Sequence, residues 1–308
     1  MNEILLRAPA TIANFGPGFD VFALALDAPF DRFRIRRTDA PGVAVRIVDG
    51  AETLPTEPDR NTAGLAALHF FKTTGVRGGA EIEIHKAMPI ASGLGSSAAS
   101  AVAAAFGLDR LFGTRLAPAD AIEIASQGEA ASGGAAHADN VSASFLGGFI
   151  IVRNRHPLRI DRLAPPAIPI VVLVRRKSLT TSRGLIPDHL PLAHAKEQMA
   201  WCAAVVHAMA AGDLARIGEA INRDHISEPV RSSYIAGYAA LKARALQAGA
   251  LGFNVSGGGS SVFAICPPDR LEAVAGVMRL SAEADAAGAP LVIVTKSSNE
   301  GVREIHGL

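Results

Sequence analysis

The sequence predicts an α+β fold. Segments with strand-like alternation and longer helical segments are mixed along the chain without the regular strand–helix order of a doubly wound sheet. Three glycine-rich segments lie next to predicted strands or helices. A chain of 308 residues is long enough for two modest domains with a substantial core.

In the first half of the chain, alternating or apolar runs predict strands and longer apolar runs predict helices. The predicted strands are residues 4–7, 31–37, 43–48 and 80–86, and the predicted helices are residues 62–73, 97–112 and 118–130. Residues 145–153 contain the pair Gly147-Gly148 and predict a strand with a bend.

Residues 155–169 contain four prolines and are the best candidate for a domain junction. We therefore expect one domain at residues 1–160 and a second at residues 161–308. In the second domain, the predicted strands are residues 168–174, 251–255, 261–266 and 291–295. The predicted helices are residues 192–211, 214–225 and 236–248, with another helix starting at Pro268.

Charge and cysteine content exclude several classes of function. The chain has 30 Lys and Arg against 29 Asp and Glu, a net charge of +1, without long basic runs. This balance argues against nucleic acid or an anionic membrane as the main partner. Cys202 and Cys266 both lie in apolar surroundings, which is typical of core cysteines in a reducing compartment, and no Cys/His cluster has zinc spacing.

The sequence predicts a cytoplasmic protein without a membrane anchor. The first seven residues are too few and too charged for a signal peptide. Residues 87–108 are uncharged and long enough to span a bilayer, but they contain Pro89, several glycines and many serines and alanines. Their weak hydrophobicity argues against a transmembrane helix.

The most informative segment is residues 86–100, which reads KAMPIASGLGSSAAS. Gly93 and Gly95 allow a ligand to approach the backbone, and Ser96 and Ser97 stand where an apolar, Ala-rich helix can begin. A glycine loop that opens a helix presents unpaired N–H groups and the positive end of the helix dipole, which suits phosphate. The alternative is a serine-capped turn before a packed helix.

This loop differs from two common nucleotide-binding motifs. It has no Gly-Lys-Ser/Thr ending and is therefore not a Walker A motif. Gly93-x-Gly95-x-x-Ala98 fits a loose dinucleotide fingerprint, but that fingerprint follows a buried parallel strand. Residues 80–86 instead alternate like a half-exposed antiparallel strand, so a dinucleotide-binding fold is the less favoured interpretation.

Two further glycine-rich segments complete a pattern. Residues 9–20 read PATIANFGPGFD, and residues 254–261 read NVSGGGSS. With the central loop, they resemble the three ordered motifs of the GHMP kinases, a superfamily of ATP-dependent small-molecule kinases, over nearly the whole chain. The resemblance implies an N-terminal domain like domain 2 of a small ribosomal protein, a ferredoxin-like C-terminal domain, and an active site between them.

Other segments resemble one branch of this superfamily, which phosphorylates the side-chain hydroxyl of L-homoserine to O-phospho-L-homoserine in threonine biosynthesis. These segments are residues 14–20, 54–61, 133–149 and 228–231. The third motif departs from the family pattern, because Ser260-Ser261 stands where Pro-Thr is usual. Losing that proline should loosen the loop.

The resemblance implies ATP and Mg²⁺ as cofactors and assigns residues to each part of the site. Those implied in catalysis are Lys86, Ser97, Glu129 and Asn140, and those implied in holding Mg²⁺ are Ser97 and Glu129. Those implied in nucleotide binding are Asn61, Pro89, Gly93, Leu94, Gly95, Ser96, Ser97, Ala98, Gly257 and Gly259. Those implied in binding the small-molecule acceptor are Asn14, Asp20, His137, Asp139, Arg183 and Arg231.

The residue types agree with these roles. Hard oxygen ligands suit Mg²⁺, and Glu129 at a helix C-terminus is disfavoured by the dipole, which favours a functional role. An arginine fork suits the acceptor carboxylate, with surface ion pairs as the alternative for Arg183 and Arg231. Asn140 stands where several relatives in the superfamily have a carboxylate base, and an amide cannot take a proton. The mechanism implied therefore lacks a strong protein base.

Three interpretations stay open from sequence alone. The first is the L-homoserine kinase activity, and the second is a GHMP kinase with another small hydroxyl acceptor. The third is a catalytically silent nucleotide-binding relative, which the presence of Lys86, Ser97, Glu129 and Asp139 argues against. A homodimer is also left open.

Overall fold

The computed structural model describes residues 2–49, 54–133, 138–175, 185–258, 260–282 and 291–307. It contains two β-sheets with helices packed against them, and the predicted α+β class is confirmed. The strands are β1 (Glu3–Ala13), β2 (Phe22–Thr38), β3 (Gly42–Asp49), β4 (Gly79–His85), β5 (Phe149–Arg155), β6 (Leu158–Leu163), β7 (Pro169–Val174), β8 (Gly252–Val255), β9 (Val262–Ile265), β10 (Leu291–Lys296) and β11 (Arg303–Glu304). The helices are α1 (Thr62–Thr74), α2 (Ser96–Phe112), α3 (Pro118–Gly128), α4 (Ala130–Gly133), α5 (Ala138–Leu146), α6 (Leu192–Ala211), α7 (Leu214–Ile221), α8 (Glu228–Arg231), α9 (Tyr238–Gln247) and α10 (Leu271–Ala282).

The first sheet is built around the long strand β2. Strands β1 and β4 pair with it in antiparallel fashion, β3 pairs parallel with β4, and the order is β11-β1-β2-β4-β3. Strand β5 joins the beginning of β2, and β6 pairs with β5. Apolar and charged residues alternate along β2, so the strand has one buried face and one face at the surface. Phe33 and Ile35 are fully buried, while Arg34 and Arg36 pair with glutamates at the surface.

Helix α2 forms the core of this half of the molecule. It contacts α1, α3, α5, β1 and β2. Its residues Ala98, Ala99 and Ala101 to Ala105 are almost all alanines and are fully buried, so the surrounding elements approach the helix closely. This packing fixes the position of the α2 N-terminus, where the central glycine loop ends.

The second sheet has the order β10-β7-β9-β8, and all its pairs are antiparallel. In chain order these are the fourth, first, third and second strands of a ferredoxin-like β-α-β-β-α-β arrangement. Strand β7 is central and buried on both faces, in agreement with its continuous apolar sequence. The third glycine motif is the connection between β8 and β9, as the sequence predicts.

Most predicted elements are found, but one prediction is wrong. Residues 145 and 146 belong to the end of helix α5 and not to a bent strand, which begins only at Phe149. The glycine pair explains the difference, because Gly147 and Gly148 have φ angles of 69° and 77° and end the helix in the left-handed region. The helix itself is absent from the sequence-based assignment.

Other boundaries move by smaller amounts. The predicted first two strands are extended, since β1 runs to Ala13 and β2 begins at Phe22. The predicted helix 214–225 ends at Ile221, and the predicted helix 118–130 ends at Gly128. The short strand β11 is not predicted.

The domain division at residue 160 stays a prediction. Strand β6 spans residues 158–163 within the first sheet, and β11 returns near the end of the chain to pair with β1. A division by sheets therefore assigns both strands to the first unit.

Candidate active site between the glycine loops

The three glycine motifs meet at one cavity of about 570 Å³. Their connecting parts are named loop 1 (residues 14–21, between β1 and β2), loop 2 (residues 86–95, before α2) and loop 3 (residues 256–261, between β8 and β9). Thirteen residues that the sequence singles out line this cavity: Asn14, Asp20, Asn61, Lys86, Gly93, Gly95, Ser96, Ser97, Glu129, Asp139, Asn140, Arg231 and Gly257. Segments far apart in the chain are thus brought together.

The backbone of loop 2 requires glycine at position 95. Gly95 has a φ of 69° and precedes α2, which begins without a side-chain cap. A Cβ atom built on Gly95 would lie 2.1 Å from the Thr11 hydroxyl oxygen. Glycine is therefore required here by the left-handed backbone and by the contact with β1, independently of any ligand.

The loops are also hydrogen-bonded to each other. The Thr11 N–H donates to the Leu94 carbonyl at 3.0 Å, and this bond ties β1 to loop 2. From loop 3, the Ser256 hydroxyl donates to the Gly93 carbonyl at 2.7 Å, and the Gly257 N–H donates to the Ala13 carbonyl at 3.3 Å. Loop 2 is thus held from both sheets.

Glu129 lies at the C-terminal end of α3 and is buried, with 6% of its surface exposed. Burial raises the pKa of its carboxyl to about 7, and the nearby charge of Asp139 acts in the same direction. A hydrogen bond from Ser97 and the charge of Lys86 oppose this shift. A carboxylate is therefore held in contact with a hydroxyl at the start of α2, in surroundings where its negative charge is costly.

This pair of oxygen donors fits a divalent cation that also binds phosphate. Among the residues that the structure describes, no group of three or more His, Cys, Asp or Glu side chains could hold a metal by itself. Mg²⁺ is commonly held by one or two protein oxygens together with phosphates and water. Glu129 and Ser97 supply a donor set of that kind.

Lys86 is the first residue of loop 2. Its ammonium donates to Asp31 Oδ2 at 2.7 Å, to Ser96 Oγ at 2.8 Å, to the Ser96 carbonyl at 3.0 Å and to Ser100 Oγ at 2.8 Å. An ammonium group has three protons, so these partners use its donor capacity. The Lys86 ammonium is therefore bonded to protein groups, although the residue also lines the cavity.

Asp139 and Asn140 are presented by the first turn of α5. The Asn140 side-chain oxygen accepts a 2.6 Å hydrogen bond from the Thr11 hydroxyl. The Asp139 carboxylate is buried and accepts the Asn140 N–H at 2.8 Å. The side-chain oxygen of Asn140 is therefore engaged in a hydrogen bond, and the carboxylates that line the cavity are those of Asp20, Glu129 and Asp139.

The cavity lining also combines an acidic residue, Asp20, and a basic residue, Arg231. Loop 1 places Asp20 in the left-handed region, and its N–H donates to the Asn14 side chain at 3.1 Å. Arg231, at the end of α8, is buried; it donates to the Gly257 carbonyl at 2.7 Å and lies 5.3 Å from the ring centre of Phe19. Arg231 thus contacts both loop 1 and loop 3.

Some predicted site residues lie elsewhere. Leu94 and Ala98 are fully buried, and neither they nor Pro89 line the cavity. Asn61 lines it but also caps helix α1, since its side-chain oxygen accepts the N–H groups of Ala63 and Gly64. His137, Arg183 and Gly259 lie outside the described residues.

Sequence analysis missed several residues of the site. Asp31 is the buried partner of Lys86, Thr11 contacts Asn140 and Gly95, and Arg60 lines the cavity. Thr11 lies within the first glycine-rich motif, so the sequence could have indicated that it belongs to the site. Asp31 begins the predicted strand 31–37, and nothing local distinguishes it from a surface aspartate.

Two family models match the chain. The model described as GHMP kinases N terminal domain matches residues 61–148, and the model described as GHMP kinases C terminal matches residues 205–283. Together they cover more than half of the chain, which therefore has the two-domain architecture of the GHMP kinases. A solved structure of low identity agrees in fold: L. major mevalonate kinase in complex with R-mevalonate is 17% identical, with a TM-score of 0.74 over 98% of this chain and 97% of that one.

Relatives with higher sequence identity show to which family of GHMP kinases the chain belongs. Homoserine kinase of Methanopyrus kandleri is 40% identical over 271 residues, which cover 85% of this chain and 87% of the relative. That of Thermoplasma volcanium is 33% identical over 98% of this chain and 97% of the relative. The crystal structure of homoserine kinase from Cytophaga hutchinsonii is 35% identical, with a TM-score of 0.91 over 99% of this chain and 98% of that one. The chain belongs to the homoserine kinase family.

These findings confirm the resemblance and the fold that the three motifs predict. The roles of the individual site residues stay predictions. Within the residues that the structure describes, no helix is both long and apolar enough to cross a membrane.

Proposed function

We propose that this chain transfers the γ-phosphoryl group of ATP to the side-chain hydroxyl of L-homoserine, forming O-phospho-L-homoserine and ADP. Membership of the homoserine kinase family supports this proposal. The observation that carries it is the single cavity in which the phosphate-type loop, Glu129, Asp20 and Arg231 meet. An acidic and a basic group beside the loop suit an acceptor that carries an ammonium and a carboxylate.

Loop 2 and the first turn of α2 would bind the triphosphate. The backbone N–H groups at this helix start and the positive end of the helix dipole favour an anion. The bonds from Thr11, Ser256 and Gly257 limit the movement of the loops, so the groups that face phosphate are already positioned. Such positioning supplies most of the catalysis in phosphoryl transfer.

Glu129 and Ser97 would hold Mg²⁺. When bound, this ion would neutralise charge on the β- and γ-phosphates. The raised pKa of Glu129 agrees with this role, because a buried carboxylate without a cation is poorly stabilised. Binding of a cation would make the ionised form favourable.

Asp20 and Arg231 would orient the acceptor. Asp20 would receive the ammonium, and the Arg231 guanidinium would bind the carboxylate while it keeps its bond to the Gly257 carbonyl. Asn14 supports Asp20 through its N–H. His137 and Arg183 are further acceptor contacts implied by the family resemblance.

In the transfer step, the acceptor oxygen forms a bond to the γ-phosphorus while the bond to the bridging oxygen of ADP breaks. Asn140 cannot accept the hydroxyl proton, and its oxygen is engaged by Thr11. We propose that the proton passes to an oxygen of the transferred phosphoryl group or to water. Asp139 acts by orienting the first turn of α5 through the Asn140 N–H.

The test is a panel of acceptors assayed for ADP formation with Mg²⁺ and ATP. L-Homoserine should give the highest kcat/KM. Mevalonate and shikimate lack the ammonium and should be at least about tenfold poorer, because Asp20 would be left unpaired. L-Threonine keeps both charged groups but carries its hydroxyl one carbon nearer to the α-carbon, so it should also be at least about tenfold poorer because the hydroxyl is misplaced for transfer. If another acceptor gave the highest kcat/KM, the proposed substrate would be wrong, but the proposed kinase activity would stand. The absence of ADP formation with every acceptor would overturn the kinase activity itself.

A further inference from the structure

We infer that Asp31 is a positioning residue that holds loop 2 in its nucleotide-binding shape through Lys86. This inference rests on the proposed function, because it assumes that loop 2 binds the phosphates of ATP. Asp31 lies in β2, opposite Ala8 of β1, and is fully buried. It does not line the cavity, so any effect on the nucleotide passes through other groups.

The Asp31 carboxylate binds both ends of loop 2. Its Oδ1 atom accepts the N–H groups of Ala87 and Met88, both at 2.8 Å, directly after Lys86. Its Oδ2 atom accepts the Lys86 ammonium at 2.7 Å, and the Ser96 hydroxyl lies 3.4 Å from the same atom. One carboxylate is therefore connected to the beginning of the loop and to the first residue of α2.

Lys86 completes this connection at the α2 end. Its ammonium bonds to both the hydroxyl and the carbonyl of Ser96 and to the Ser100 hydroxyl one turn later. The Lys86 side chain is 5% exposed and Asp31 is not exposed, so the pair is shielded from water. Moving Lys86 toward a phosphate would leave a buried carboxylate without its counter-ion, which is strongly unfavourable.

The same arrangement explains why loop 2 needs an anchor. Residues 89–95 lie between the attachment points at Ala87-Met88 and at Ser96. They contain Gly93 and Gly95, whose backbone changes conformation easily. Loop 3 and β1 hold the tip of the loop through Gly93 and Leu94. Asp31 and Lys86 hold its base, so loss of the pair should displace the N–H groups at the start of α2.

The experiment compares three variants: Asp31→Asn, Lys86→Met and the double variant Asp31→Asn/Lys86→Met. The dissociation constant of ADP with Mg²⁺ is measured by calorimetry without acceptor, and the melting temperature is measured in parallel. Each single change leaves one buried charge unpaired and should lower the melting temperature. The double variant has no unpaired charge, so its melting temperature should return toward the wild-type value.

Nucleotide affinity should not recover in the same way. The double variant lacks the bonds from Lys86 to Ser96 and Ser100, and its ADP dissociation constant should stay at least about tenfold above that of the wild type, as for the loss of a charge-assisted hydrogen bond. In turnover assays, the KM for ATP should rise while the KM for L-homoserine stays within about twofold. A merely structural role would not separate these two KM values.

A destabilised control separates positioning from folding. Val172 lies in β7, and its side chain is fully buried and does not line the active-site cavity. Val172→Ala creates a void in the core at this position. It should lower the melting temperature and leave the ADP dissociation constant unchanged.

Four outcomes would overturn the inference: wild-type ADP affinity in Asp31→Asn, wild-type affinity in the double variant, an equal rise in both KM values, or a double variant that fails to fold. The last would mean that the pair is needed for folding and not for positioning. Because ADP binding is measured without acceptor, a wrong substrate assignment leaves the binding measurements intact and affects only the comparison of KM values. If wild-type protein fails to bind ADP, the kinase proposal fails instead.

Discussion

Glu129 is held in a site that disfavours its charge. Its pKa in the folded protein is about 7, compared with 4.5 for an ordinary glutamate. The folded state therefore binds the proton more tightly than the unfolded state. This contribution to the free energy of unfolding is fully present below about pH 4.5, decreases as the pH rises, and is lost above about pH 7.

Glu129→Gln should therefore stabilise the ligand-free protein at alkaline pH, because the amide carries no charge. Relative to wild type, its free energy of unfolding should be similar near pH 5 and higher near pH 8, by on the order of 3 kcal/mol at most. Denaturant unfolding at the two pH values measures this difference. Catalysis should fall by orders of magnitude, because the variant lacks the charged ligand that we propose for the divalent cation.

Glu123→Gln provides the opposite control. Desolvation pushes the pKa of Glu123 upward, but hydrogen bonds from Arg155 and Gln127 prevail and lower it. Its ion pair stabilises the folded protein above the unfolded pKa, and this contribution is lost as the pH falls. Glu123→Gln should thus be destabilising near pH 8. Equal pH responses of the two variants would contradict the assignment of Glu129.

Arg231 is predicted to bind the acceptor carboxylate. Arg231→Leu should raise the KM for L-homoserine roughly tenfold to a hundredfold, the effect of losing a charge-assisted hydrogen bond. The bond from Arg231 to the Gly257 carbonyl adds a second effect, so the KM for ATP should also rise, but only a few-fold. Steady-state kinetics with each substrate varied in turn separates the two effects.

Arg223→Leu is the matched control for Arg231. Arg223 lies 5.4 Å from the Trp201 ring centre and does not line the cavity, so both KM values should stay near those of wild type. Normal binding of L-homoserine by Arg231→Leu would remove Arg231 from the acceptor site. Arg183 would then be the remaining arginine proposed for the carboxylate.

The glycine loops depend on bonds that connect elements distant in sequence. Ser256→Ala removes the hydroxyl that bonds to the Gly93 carbonyl, the link from loop 3 to loop 2. We expect a roughly threefold to tenfold rise in the KM for ATP, in line with the loss of one neutral hydrogen bond, and a native circular dichroism spectrum. Ser298→Ala, at an exposed hydroxyl outside the cavity, should leave the KM unchanged. An unaffected KM in Ser256→Ala would mean that loop 3 does not position loop 2.

Local patterns in the sequence were sufficient to predict most of the elements that carry the site. The Ala-rich run before Phe112 predicts α2, because a long apolar run of strong helix formers favours a helix. The apolar run at residues 168–174 predicts β7, because a short continuous run rich in Ile and Val is typical of a buried strand. Helix α5 was missed because polar residues occupy its first turn and two glycines follow it. Local propensity is weak there, and packing against β1, β2 and α2 decides the outcome.

Predicting the site was possible where a motif and the chemistry coincided, as for Gly95 and Glu129. It was not possible for Asp31, whose role depends on the pairing of β1, β2 and β4 around it. Lys86 shows the same difficulty: its sequence position borders the loop, but the direction of its ammonium depends on a buried partner 55 residues away. Long-range pairing of this kind leaves no local signal.

The two sheets are joined by contacts that cross the whole molecule. Helix α6, from the second half of the chain, holds loop 1, since the Gln198 amide donates to the Pro17 carbonyl at 2.5 Å. The chain then returns to the first sheet, where β11 pairs with β1 and the Val302 N–H donates to the Ser144 carbonyl. Because each half supports the other, the protein should unfold in one cooperative transition.

Deleting residues 298–308 tests this cooperativity. The deletion removes β11, the bonds from Ser298 and Val302, and the buried side chain of Val302. We expect a fall in melting temperature of several degrees, because the deletion removes several stabilising interactions and each kcal/mol lost lowers the melting temperature of a protein of this size by roughly 1–2 °C. Unfolding should still occur in one transition, since α6 keeps its contact with loop 1. A melting temperature equal to that of wild type would show that β11 contributes nothing to the first sheet. Two separate calorimetric transitions in the full-length protein would contradict the joined arrangement of the two sheets.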